Sequence, residues 1–109
     1  MKHLKLYKES IEESEPKIGD YVIIKNYPGT TFYIEMYEFI SNNIGQIIKS
    51  ENLGEFFRIS YNKLPNNIAG FFQPYENKYY RIFNKDMITD FSSNKKELKL
   101  KLAAKKYNL

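Results

Sequence analysis

The sequence predicts a mainly β protein: a small barrel of about five short strands, with a short inserted helix and a peripheral C-terminal helix. Three observations lead there. Five runs rich in β-branched and aromatic residues, at 17–25, 44–50, 55–61, 78–83 and 87–91, are separated by Gly, Asn, Asp and Pro. After the first 16 residues, helical periodicity is confined to two stretches, near 32–41 and 95–105. The chain of 109 residues holds one core and no more.

Along the chain, residues 1–16 read as a leader or arm outside the core. It runs from a basic and apolar start (Lys2, Leu4, Lys5, Leu6, Tyr7) into acidic residues (Glu9, Glu12, Glu13, Glu15) and ends at Pro16. It lacks the apolar stretch of a secretory signal. Leu4, Tyr7 and Ile11 suit one face of a short helix, and a mobile arm is the other reading. The barrel is expected over 17–91. Gly19-Asp20 turns the chain into the first strand, and Asn26-Tyr27-Pro28-Gly29 ends it. Residues 32–41 are assigned a short helix with Phe32, Met36, Phe39 and Ile40 on its face, stopped by Asn42-Asn43. The β-propensity of 30–34 keeps a strand open there. The runs at 44–50 and 55–61 flank Glu51-Asn52-Leu53-Gly54 and form a hairpin, with Phe57, Ile59 and Tyr61 alternating against Phe56, Arg58 and Ser60. Residues 62–77 read as a long connection with unusual aromatics. In 78–83, Tyr80 and Ile82 are the expected core residues. Residues 92–109 form a Lys-rich helix, opened by Asn94 and Glu97 in capping-box spacing, with Leu98 and Leu102 toward the body.

Composition removes several chemistries. There is no cysteine, so disulfides, thiolate metal sites and cysteine nucleophiles are excluded. Mean hydropathy is −0.59 with no long apolar run, which argues against a transmembrane helix and against a membrane partner. His3 is the one histidine and lies in the leader, so histidine triads and paired-histidine metal motifs are absent. The carboxylates Glu35 and Glu38, and Glu9, Glu12 and Glu13, read as solvated faces. The five glycines never cluster into a phosphate-cradling loop. No catalytic residue, cofactor or metal is assigned, and an enzyme is not expected.

The net charge of +4 is unevenly placed. Residues 93–109 hold six lysines and one acid, whereas the rest of the chain is near neutral at −1. Lysines outnumber arginines 15 to 2, and the abundance of Lys, Asn, Ile, Tyr and Phe follows AT-rich coding. Two function classes compete. A protein-interaction module would use surplus aromatics of the long connection and the strand after it: Phe71, Phe72, Tyr75 and Tyr79. A nucleic-acid-binding barrel would use Arg58 and Arg81, each beside an aromatic pair, with Lys95, Lys96 and Lys99. Alternating strand aromatics more commonly fill a core.

Lys17-Ile18-Gly19-Asp20-Tyr21-Val22, then Ile44-Gly45-Gln46-Ile47-Ile48 leading into Phe56-Phe57-Arg58-Ile59-Ser60-Tyr61, resembles the opening strands of SH3-like and KOW-type small barrels. The start Met1-Lys2-His3-Leu4-Lys5-Leu6-Tyr7 and the segment Ser92-Ser93-Asn94-Lys95-Lys96-Glu97-Leu98 are similar to those of small tailed-bacteriophage proteins. The resemblance implies a non-enzymatic phage accessory or virion-associated protein in the cytoplasm of a bacterial host. It carries no binding residue over to this chain.

Overall fold

The computed structural model describes residues 15–27 and 33–106. All but two residues of the expected leader fall outside them. Six antiparallel strands form one sheet among the described residues: β1 (Tyr21–Ile24), β2 (Gly45–Glu51), β3 (Phe56–Tyr61), β4 (Gln73–Tyr75), β5 (Lys78–Asn84) and β6 (Ile88–Ser92). Three helices accompany them: α1 (Ile34–Ser41), α2 (Asn66–Ala69) and α3 (Lys95–Lys106). The strand order is β4-β5-β3-β2-β1-β6. The sheet is open, with β4 and β6 as its edges.

Local chemistry explains the elements. Asn42 and Asn43 donate their side-chain amides to the Glu38 and Phe39 carbonyls and close the C-terminus of α1. Asn94 caps α3 by accepting from the Lys96 amide at 2.9 Å. The expected capping box is displaced by one link: the Glu97 carboxylate takes the Ser92 hydroxyl at 2.6 Å, and that hydroxyl accepts the Asn94 amide. One extra residue at Ile48 bulges β2, and a second shift lies between Ile23 and Ile24 of β1.

The main core lies on one sheet face. Val22, Ile24, Ile47, Phe57, Ile59, Tyr61 and Phe83 meet Met36 and Ile40 of α1, Ile68 of α2, and Phe72. Gly45 makes this possible, because a Cβ there would lie 2.5 Å from Ile59 Cγ2 and 2.8 Å from Tyr61 Cζ. On the other face, α3 packs over β6 and β1. Ile23 alternates to that side and is buried, as is Leu98. Among the described residues, no helix packs on the outer face of β2, β3 and β5.

Two expectations change. The long connection is structured, since 62–77 contains α2 and the sixth strand, β4. Tyr80 and Ile82 do not enter the core. Phe57 pairs with Phe83 and Arg58 with Ile82, so β5 turns Phe83 inward and Ile82 outward at 47% exposure.

Candidate functional site

A cleft of about 830 Å³ opens at the β2–β3 hairpin end of the sheet. Phe57, Ile88 and Phe91 supply its apolar surface; Lys85 and Asp86 line it from the turn between β5 and β6. Glu15, Pro16, Lys17 and Ile18 line it from the segment entering β1. That segment is fixed by a turn. The buried Asp20 carboxylate accepts the Lys17 amide at 3.0 Å, its own amide donates to the Lys17 carbonyl, and Gly19 takes φ +97°. The turn leaves Ile18 outside, 59% exposed.

Across the cleft, the hairpin turn holds three successive residues in left-handed conformation: Asn52 (φ 54°), Leu53 (φ 57°) and Gly54 (φ 88°). Asn and Gly accept this readily; a leucine does not, at a cost of about 1–2 kcal/mol. The Leu53 side chain is also fully in solvent. Neither local propensity nor burial accounts for leucine here. Sequence reasoning missed the cleft, although an apolar residue inside Glu51-Asn52-Leu53-Gly54 was a readable signal.

The residues named from sequence are dispersed. Phe72 belongs to the core, its ring edge-on to Tyr61 at 5.7 Å, so it offers no contact surface. Phe71 is half-buried, 5.1 Å from the Tyr33 ring. Tyr75 and Tyr79 are exposed at the far edge of the sheet, with Tyr75 edge-on to Tyr80. Both arginines are engaged within the fold. Arg58 forms a cross-strand ion pair with Glu51 and lies over the Tyr80 ring at 5.0 Å. Arg81 donates to the Phe71 carbonyl at 2.8 Å and lies over Tyr33 at 5.6 Å. Lys95 sits over Tyr21 at 5.9 Å, while Lys96 and Lys99 are exposed. Lys101, another lysine of the Lys-rich segment that the nucleic-acid reading drew on, bridges α3 to Asp90 of β6 at 2.9 Å.

Tyr61 is the one described ionisable group strongly displaced: burial pushes its phenol far above the ordinary value of 10.0. Its hydroxyl has no hydrogen-bond partner among the described residues. Among those residues, no three His, Cys, Asp or Glu side chains gather as metal ligands. No described helix is long and apolar enough to cross a membrane. No protein-family model, curated protein or solved structure matches this chain.

Proposed function

We propose that this chain is a non-enzymatic protein-interaction module whose cleft between Ile18 and Leu53 receives an apolar segment of a protein partner. The carrying observation is Leu53: an aliphatic side chain held in solvent, in a backbone conformation that penalises it, at the rim of an apolar-floored cleft. Strain retained at an exposed position points to use of that position. The cleft also has lysines and carboxylates on its rim, which suits a segment without strong net charge.

The finer fold reading is an SH3-like barrel. It is supported by the antiparallel run β6-β1-β2-β3-β5, the bulge that bends β2, and the 3-10 turn before β6. A phage accessory or virion-associated role in a bacterial host rests on the sequence resemblance at 1–7 and 92–98 alone. The nucleic-acid reading through Arg58 and Arg81 is weakened, because both guanidinium groups already have partners.

The test is affinity capture of the tagged chain from host lysate after nuclease treatment, alongside Leu53→Ser and Ile18→Ser. A defined partner that survives nuclease and is lost with either variant is the expected result. Complete loss of captured material on nuclease treatment, or capture indifferent to both variants, would reject the cleft as the docking site.

A further inference from the structure

The second site is the open edge of β5, on the side away from β3. The Lys85 amide donates to the Glu55 carbonyl at 3.0 Å, and these two residues continue the β3–β5 register. In an antiparallel ladder, directly bonded pairs recur at every second residue. The pairs Phe57–Phe83, Ile59–Arg81 and Tyr61–Tyr79 therefore bond β5 to β3. Lys78, Tyr80, Ile82 and Asn84 direct their backbone groups to the opposite side.

β4 satisfies the first two of these, with Tyr75 opposite Lys78 and Gln73 opposite Tyr80. Pro74 fits this phase, since it lies opposite Tyr79 at a position where no amide is required. Beyond Gln73 the line of β4 stops. Phe71 would lie opposite Ile82, but its amide donates back to Ile68 and its carbonyl accepts Arg81. Among the described residues, nothing continues β4 alongside Ile82 and Asn84. A notch of about 270 Å³ lies at that point, lined by Phe71, Gln73, Tyr80, Arg81 and Ile82.

We infer that this edge binds an extended polypeptide segment, which adds as a short strand antiparallel to β5 and in line with β4. The occupant is defined by what faces it. The N–H and C=O of Ile82 and the N–H of Asn84, whose carbonyl already opens the 3-10 turn over Lys85–Met87, require a backbone with matching groups at the strand repeat, which an extended peptide supplies. The exposed Ile82 side chain favours an aliphatic or β-branched residue directly opposite. A second copy of this chain fits less well. Two-fold pairing about Ile82 would collide with β4 at Tyr80. Shifting it to set Ile82 against Asn84 of the second copy places Arg81 against that copy's Lys85.

The edge is distinct from the cleft and its occupancy does not depend on the Leu53 reading. The probe is a random decapeptide library displayed on particles and selected on the whole chain. Recovered peptides are then titrated against the parent, Ile82→Pro and Leu53→Ser, and amide exchange is followed by NMR. Ile82→Pro removes only an outward-facing amide, so the variant should fold. The expected result is peptides that bind Ile82→Pro at least about tenfold more weakly, bind Leu53→Ser unchanged, and slow exchange at Ile82 and Asn84. Failure to recover any peptide, binding indifferent to Ile82→Pro, or collapse of Ile82→Pro would overturn the inference; collapse would mean that its amide serves the β3 ladder. Peptides sensitive only to Leu53→Ser would overturn the edge and leave the cleft standing.

Discussion

Replacing Gly45 with alanine, paired with the same replacement at Gly70, tests the packing of the core directly. At Gly45 the added methyl would approach Ile59 Cγ2 at 2.5 Å and Tyr61 Cζ at 2.8 Å. Ile59 is 0% exposed and Tyr61 3%, and both are fixed in the central strand β3, so neither yields without disturbing its neighbours. Overpacking of this kind costs about 1–3 kcal/mol, and the encirclement here argues for the upper end. The smaller entropy loss of alanine on folding offsets roughly 0.5–1 kcal/mol. A net loss of about 2 kcal/mol follows, which is a lowering of Tm by about 8–10 °C for a chain of this size. At Gly70 nothing lies within 4 Å of the added atom and φ is −68°, an ordinary helical value. The identical substitution there should stabilise by about 0.4–1 kcal/mol. Urea titration followed by far-UV circular dichroism measures both. Equal effects at the two sites, or a Gly45→Ala variant as stable as the parent, would refute the packing argument.

Further expectations follow from single side chains. Tyr61→Phe should stabilise by about 1 kcal/mol in the same titration, because it removes a buried hydroxyl that has no partner among the described residues. It should also flatten the alkaline limb. Above pH 10 the unfolded chain gives up a phenolic proton that buried Tyr61 retains, so stability falls by about 1.4 kcal/mol per pH unit as pH rises, and the variant lacks that contribution. Leu53→Asn should raise stability by about 1 kcal/mol by relieving left-handed strain while abolishing partner capture; thermal melting and the capture assay read the two effects separately. Asn94→Ala should cost about 1 kcal/mol, measured by thermal melting, as α3 loses its cap. Asp90→Asn should change stability by no more than about 1 kcal/mol, since the Lys101 end of its ion pair is 58% exposed and salt weakens such pairs.

The hairpin, the two longer helices and the ends of most strands were legible because local signals agreed with the tertiary environment. Phe57, Ile59 and Tyr61 alternate onto the core as their spacing implies. Register was not legible. In 78–83 the aromatic pair Tyr79-Tyr80 offers either phase, and only pairing with β3 selects Phe83 as the buried residue. β4 escaped because Gln73-Pro74-Tyr75 has neither alternation nor β-branching, and it exists by pairing with β5. The named contact residues fared unevenly for the same reason. Hydrophobicity marks Phe71 and Phe72 equally, but tertiary packing sends Phe72 inward and leaves Phe71 at the notch. The arginines looked available because their partners, Glu51 across the hairpin and the Phe71 carbonyl, are selected by strand register and chain path rather than by any local motif.

The pairing of β1 with β6 joins the two most distant strands of the sequence. Hairpins β2–β3 and β4–β5 close over a few residues, whereas Val22 must meet Phe91 across about 70 positions of chain. Closing that loop costs roughly 2 kcal/mol more in entropy than closing a hairpin. Loop closure therefore favours the two hairpins over the β1–β6 seam as the first pairings to form. α3 follows the seam, because the surface on which Leu98 rests is built from both seam strands. During synthesis, α3 is the last of the described elements to leave the ribosome, so Leu98 can cover its face of the sheet only after every strand has been made.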